Sequence, residues 1–300
     1  MGPPTLSVIV PTFNNVAVLR QCLESWQRHA NGVPAEVIVI EDGCRDETPA
    51  YLGRVAAGAW GSEHLRWCHE ENVHELRSTN RGFAEARAPL LAAWQDDMFV
   101  AKGWLLTELA ETFATYPDIG IVSLSRGLNM LPLDEPIETW EQLVDWRRLQ
   151  STIGTGPANW FHLQEVDAVI RPWVVRRACL DAVGVLDDAF VPTEWDEADL
   201  CYRIRRAGWK VATYGYERLG AYFHLGSSTL GALSEQYKAR VLRNGLLFHS
   251  RWDDTIRATH TRQRARWQRR STLGGRTHTL RQMVRCAVKR FSPTCRVGLN

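Results

Sequence analysis

Two adjacent carboxylates, Asp96 and Asp97, interrupt the apolar run of LLAAWQDDMFV. Acids at the end of a core strand need their charge compensated, and a divalent cation bound to a phosphate does so. The pair therefore reads as a metal-dependent site for a phosphorylated ligand, against the alternative of a surface turn with two solvated acids. A second acidic group, Glu194, Asp196, Glu197 and Asp199, crowds a helix start in PTEWDEADLCYRIRRAGWKVAT. Asp196 as N-cap and Asp199 at the third position are ordinary there, favoured by the helix dipole. Capping accounts for two acids, not four. A carboxylate at a helix start beside a cleft suits a general base, because the amino end keeps it ionised near neutral pH.

The elements around these acids predict how they are brought together. Ser7 to Val10 reads as a buried strand that breaks at Pro11 and turns through Asn14 and Asn15. Leu19, Cys22, Leu23 and Trp26 then line one face of a helix. Val37 to Ile40 forms a second strand ending in Glu41, Asp42 and Gly43, and Asp46 or Thr48 caps a helix with Pro49 in its first turn. A helix over Lys102 to Thr115 packs Leu105, Leu106, Leu109 and Phe113, and Ile119 to Ser123 is a strand. Val166 to Ile170 is predicted as a strand and Arg176 to Val183 as a helix. A further helix packs Leu200, Cys201 and Ile204 and stops at Gly208, before a strand over Lys210 to Thr213. Strands alternating with helices imply an open α/β sheet, and ligands bind such sheets at the carboxyl ends of the strands. Between Leu124 and Glu165 the pattern loosens around Trp140, Trp146, Trp160 and the segment GTGPANW. That composition suits a loop-rich wall in which an aromatic ring stacks on a sugar, although most of the 13 tryptophans must be core.

The 300 residues are 45% apolar and 23% charged, enough to bury a large core in one unit or two fused halves. No apolar run reaches the about 18 residues that cross a bilayer, and Met1 to Leu6 is too short for a signal peptide, so a cytoplasmic protein is expected. Seven cysteines without a CxxC pair fit reduced thiols, with Cys22 and Cys201 as core filler.

Charge is segregated along the chain. After Asp254 there are twelve Lys and Arg and no acid, whereas the preceding part holds 24 basic against 34 acidic residues. Leu280, Met283, Val284, Ala287, Val288 and Phe291 repeat at helical spacing among the tail's arginines, which suits a helix lying on an anionic membrane. A basic helix folded onto the acidic body and a disordered tail are the other readings. Nucleic acid is disfavoured by the body's negative charge.

SVIVPTFNN, EVIVIEDGCRDET, NRGFAEAR, the QDD strand end and WDEADLCYRIRRAGW occur in this order, and together they resemble glycosyltransferase family 2, the inverting nucleotide-sugar transferases. The resemblance runs from Leu6 to about His249. It implies an α/β GT-A fold, Rossmann-like, with a mostly parallel sheet flanked by helices, here followed by the basic helical tail. Residues 1–123 would form the nucleotide-sugar-binding half, 124–250 the acceptor-binding half and 251–300 the tail. Pro11, Thr12, Glu41 and Asp42 would line the nucleotide's base and ribose, with Asn80 and Arg81 approaching the base. Asp97 would bind Mn2+ or Mg2+ against the donor diphosphate, with Asp96 toward the ribose or sugar. The register set by Asp199 and Leu200 implies Glu197 as catalytic base, with Asp196 second. His224, in AYFHLGSSTLG, resembles a histidine that some members place near the metal or diphosphate; otherwise it is a loop residue.

This chain departs from the family pattern at Gln95, where many relatives carry the first acid of Asp-x-Asp, and at Cys44, where serine is usual. The segment between Arg87 and the acidic strand is also short. The resemblance implies a UDP-, dTDP- or GDP-linked sugar donor and a glycan, lipid-linked or protein acceptor, in polysaccharide or glycoconjugate synthesis. A sugar-phosphate nucleotidyltransferase is the first alternative, but PTFNN lacks the glycine-rich basic loop of those enzymes. A non-catalytic glycan-binding protein on the same fold is the second, and the retained acidic cluster counts against it. A membrane-recruited structural protein would need only the tail.

Overall fold

The computed structural model of the protein describes residues 3–29, 33–58, 64–144, 149–151, 162–217, 219–226, 234–260 and 266–268. The first third alternates strand and helix: β1 (Leu6–Thr12), α1 (Val16–His29), β2 (Ala35–Asp42), α2 (Thr48–Ala57), β3 (Leu65–Glu70), α3 (His74–Glu85) and β4 (Leu90–Ala93). There follow β5 (Met98–Val100), α4 (Leu105–Thr115), β6 (Ile119–Ser123), β7 (Gly127–Met130), α5 (Trp140–Val144), β8 (Leu149–Ser151), β9 (His162–Glu165), β10 (Ala168–Val169) and β11 (Trp173–Arg176). The chain continues through α6 (Arg177–Val183), α7 (Asp196–Arg206), β12 (Lys210–Thr213), β13 (Tyr222–His224), the long α8 (Glu235–Thr259) and β14 (Arg266–Gln268).

The central sheet has the order β14-β9-β12-β6-β11-β4-β1-β2-β3. Its half β4-β1-β2-β3 is wholly parallel. Antiparallel β11 joins this half to β6, which is itself parallel to β12. Alternation along each strand sorts two cores. Val8, Val10, Val37, Val39 and Val122 face the layer of α1, α2 and α4, whereas Ile9, Ile38, Ile40 and Ile121 face α3, α6, α7 and α8. Leu19, Cys22, Leu23 and Trp26 of α1 are all buried, as their spacing predicts.

Several boundaries differ from the sequence expectation. β1 continues through Pro11 to Thr12. Trp94 N donates to Ile9 O, so Ile9 faces β4; Pro11 faces the same side, where β4 has already ended at Ala93, and its missing N–H leaves no gap in the ladder. The helix expected from Lys102 starts at Leu105, and of the strand expected over Val166 to Ile170 only Ala168 and Val169 pair, as β10, while β9 ends before it at Glu165. Asp46 supports two helix starts: Oδ1 accepts from Thr48 N and Oδ2 from Val16 N.

α8 runs through the expected boundary at 250 and buries Trp252 and Ile256, so the first turns of the segment beyond it pack in the body. The apolar repeat from Leu280 to Phe291 lies outside the described residues, as do Trp146, Trp160 and GTGPANW. Among the described residues no helix is long and apolar enough to cross a membrane.

Candidate active site

The polar residues collect at the carboxyl ends of β1, β2 and β4, around a cavity of about 370 Å³. Pro11, Thr12 and Phe13 line it from β1, Asp42 from β2, Asn72, His74 and Glu75 from the start of α3, and Gln95 and Asp96 from the turn after β4. Pro192, Thr193 and Arg240 close the opposite side.

The turn that carries Gln95, Asp96 and Asp97 is fixed by Trp94. Its indole packs between Trp26 and Tyr222, with ring centroids at 5.0 and 5.4 Å, and its Nε1 donates to Met98 O at 2.9 Å. Thr12 Oγ1 donates to Asp96 Oδ2 at 2.7 Å and Asn15 Nδ2 to the same oxygen at 3.2 Å. Burial pushes the Asp96 carboxyl up to about 6, with Asp97 adding to the shift and the Thr12 hydroxyl opposing it. β5 pairs antiparallel with β13, placing Met98 opposite His224, and Leu225 N donates to Asp97 O. That pairing sets His224 Nε2 3.2 Å from Asp97 Oδ1. The contact raises the His224 pKa. Among the described residues no group of three or more His, Cys, Asp and Glu could hold a metal unaided. Asp97 and His224 supply two adjacent donor atoms.

The acidic helix start forms a second cluster. Glu194 and Trp195 have φ of +83° and +68°, a left-handed turn that bulky residues seldom adopt. Asn244 of α8, fully buried, holds it by donating to Phe190 O, Thr193 O and Glu194 O. Asp196 is the first residue of α7, after Trp195, and no side chain caps the helix. Glu197 Oε1 accepts from Trp173 Nε1 at 2.8 Å and lies 2.6 Å from Arg171 Nε. Burial raises the carboxyls of both Asp196 and Glu197, and the Arg171 guanidinium opposes the rise. Asp199 is structural: it accepts from Arg203 Nε, Arg251 Nη1 and Trp252 Nε1.

Of the residues expected at the nucleotide, Pro11, Thr12, Asp42 and Asp96 line the cavity. Asp42 spends both oxygens on backbone, accepting from Val73 N at 2.7 Å and His74 N at 2.9 Å, so it shapes the α3 entry turn. Glu41, Asn80 and Arg81 do not line it. Glu41 is buried against His69 and accepts from Cys44 N. Asn80 bonds Leu186 through both its amide atoms, and Arg81 faces out to pair with Glu70 and Glu85. α3 turns these two side chains away from the strand ends.

Glu75, Arg171, Trp173 and Arg240 are site residues that sequence reasoning missed. Arg171 follows an apolar stretch just as Asp42 and Asp96 follow theirs; the strand-end signal applies to a basic residue equally.

The family model for Glycosyl transferase family 2 matches residues 7–157. An uncharacterized protein of Sinorhizobium fredii is 26% identical over 265 residues, 84% of this chain and 28% of the relative. The validoxylamine A glucosyltransferase of Streptomyces hygroscopicus subsp. jinggangensis is 24% identical over 230 residues, 68% of this chain and 52% of that one. The chain thus spans between about a quarter and a half of the length of these relatives. Among solved structures, that of GalNAc-T7 with UDP, GalNAc and Mn2+ superposes with a TM-score of 0.61 at 13% identity, covering 85% of this chain and 50% of the other. That likeness establishes a shared fold.

Proposed function

The chain belongs to glycosyl transferase family 2, and from that premise we propose that it moves a sugar from a nucleoside-diphosphate sugar to an acceptor hydroxyl with inversion, using Mn2+ or Mg2+ at Asp97 and His224 and Glu197 as base. The observation that carries this reading is the Asp97–His224 pair beside a cavity bounded by three parallel strand ends. Donor atoms 3.2 Å apart can share one ion, and the Asp97 carboxylate is an oxygen ligand of the kind that suits Mn2+ or Mg2+. Diphosphate oxygens and water would complete the coordination. The GalNAc-T7 structure carries UDP, GalNAc and Mn2+, in keeping with a nucleotide-linked donor here.

The bound ion would act as a Lewis acid toward the charge that develops on the departing diphosphate. The chain's own residues supply the rest. Thr12 and Asn15 hold Asp96 at the cavity wall, where its other oxygen can accept from a ribose or sugar hydroxyl. Trp173 and Arg171 both engage Oε1 of Glu197. The acceptor hydroxyl attacks the anomeric carbon from the face opposite the diphosphate and its proton passes to the Glu197 carboxylate. The bond to the diphosphate oxygen breaks as the new glycosidic bond forms, and one displacement inverts the centre.

The test is a thermal-shift series with UDP, dTDP and GDP, each with and without Mn2+, on the wild type and Asp97→Ala. One nucleotide should stabilise the wild type only with metal present, by about 2.7 kcal/mol at a hundredfold excess over its Kd. Equal stabilisation of Asp97→Ala would remove Asp97 from the site.

A further inference from the structure

Arg171 stands between β10 and β11 with its side chain only 7% exposed. Its guanidinium faces three carboxylates from two helices. Nε is 2.6 Å from Glu197 Oε1, Nη2 is 3.7 Å from Asp196 Oδ2, and Nη1 donates to Glu75 Oε1. Glu75 lies in the first turn of α3, lines the cavity, and accepts from Gln95 Nε2 at 3.2 Å. These contacts join residues 20, 96 and 26 positions apart into one chain of polar groups.

We propose that Arg171 is the positioning residue of Glu197, and that Glu75 and Gln95 extend its hold to the donor cavity, so that Gln95–Glu75–Arg171–Glu197 links the strand end bearing Asp96 and Asp97 to the base. This rests on the reading of Glu197 as base. Geometry supports the link at each joint. Trp173 donates to Oε1 and Arg171 forms an ion pair with it, which anchors that oxygen and leaves Oε2 as the oxygen neither of them uses. A planar guanidinium spreads fixed donors over the distance between these carboxylates, whereas a lysine ammonium would have to gather all three around one nitrogen. The link also explains why an amide replaces an acid at position 95. Arg171 already serves three carboxylates, and the Gln95 N–H donates to Glu75 where an ionised acid could only repel it.

The test reads Glu197 directly in the full chain. With glutamate labelled at the carboxyl carbon, its resonance is assigned by its loss in Glu197→Gln and titrated by NMR. The groups facing it are Arg171, Glu75, Asp196 and Cys201, with Glu194 next to Asp196 and Arg240 acting on Glu194 from α8. Arg171→Met should raise the Glu197 midpoint by at least one pH unit, Arg171→Lys by less, and Glu75→Gln should lower it. Should Arg171→Met not fold, the other two variants carry the test. An unmoved midpoint in both Arg171→Lys and Glu75→Gln overturns the proposal. In turnover, measured with the nucleotide sugar whose diphosphate stabilises the protein, Arg171→Lys should lower kcat at least tenfold and leave the donor KM unchanged. A protein that binds no nucleoside diphosphate but shows these shifts would break the functional reading and leave the link; normal nucleotide binding with an unmoved midpoint would break the link alone.

Discussion

Gln95 Nε2 donates a 3.2 Å hydrogen bond to Glu75 Oε1, tying the turn that bears Asp96 and Asp97 to the first turn of α3. Gln95→Glu replaces that donor with a second carboxylate facing Glu75, and like charges at this range disfavour ionisation. The new acid's folded pKa therefore lies above its unfolded one. Its favourable, protonated form is fully available below the ordinary glutamate range and is lost as pH rises through the folded value. Urea denaturation should find the variant close to the wild type at low pH and about 1 to 3 kcal/mol less stable at pH 8. A pH-independent difference would show that position 95 does not meet Glu75.

Gly82 inverts the usual rule for helices. In α3 an exposed Gly→Ala change would gain about 1 kcal/mol of helix propensity. Here an added Cβ would lie 2.2 Å from Ile9 Cγ2, at the crossing of α3 over β1. Overpacking of that kind costs about 1 to 3 kcal/mol, so Gly82→Ala should destabilise the protein on balance. Ile9→Ala removes the obstructing carbons, and the double variant should lose less than the two single losses combined. Strict additivity in a denaturant series would contradict the close approach.

In the parallel half of the sheet β1, β2 and β4 were legible because they are apolar runs that stop at polar residues, as at Ile40 before Glu41 and Asp42, whereas β3, with the sequence LRWCHE, carries no such run and was not expected. The pairing of Asp97 with His224 depends on β5 and β13, two strands of three residues each, too short to carry a period. Glu75 and Arg171 are 96 positions apart, and nothing in their neighbourhoods signals that a guanidinium crosses from one to the other. Asn80 and Arg81 belong to a motif of the family, yet their direction is set by α3, whose buried face is taken by Leu76, Thr79 and Phe83. Local pattern fixes which residues are inside. It does not fix which polar groups meet across the strand ends, because those contacts depend on how helices from distant parts of the sequence cross.

His249 of α8 is buried beside Trp195 and Phe248, and burial lowers its pKa to about 4, with Asp253 opposing the shift. The folded state therefore favours the neutral imidazole. A depressed histidine pKa gives stability that is present above the unfolded value, near 6.5, and lost as pH falls toward the folded value. Between pH 7 and pH 4 this residue should account for about 3 kcal/mol of lost stability. In His249→Phe that share disappears, so the stability difference between wild type and variant should shift by a similar amount across the interval. A constant difference in urea midpoints would mean that burial does not shift the His249 pKa, and a difference of opposite sign that the folded protein holds the ring charged.

In the proposed reaction Glu197 and Asp196 are the two candidate bases, and their surroundings separate them. The Glu197 side chain is 19% exposed and that of Asp196 only 2%. A hydroxyl can approach the first, whereas the second lies behind the Arg171 guanidinium. Neither residue lines the cavity or belongs to the Asp97–His224 pair, so replacing either should leave nucleoside diphosphate binding intact. Glu197→Gln keeps the contact with Trp173 but cannot take a proton, and release of nucleoside diphosphate in the presence of acceptor should fall by about 10²-fold to 10⁴-fold. Asp196→Asn relieves one of the three carboxylates on Arg171 and should lower the rate by less than tenfold. The reverse order of effects, with nucleotide binding unchanged in both variants, would move the base to Asp196.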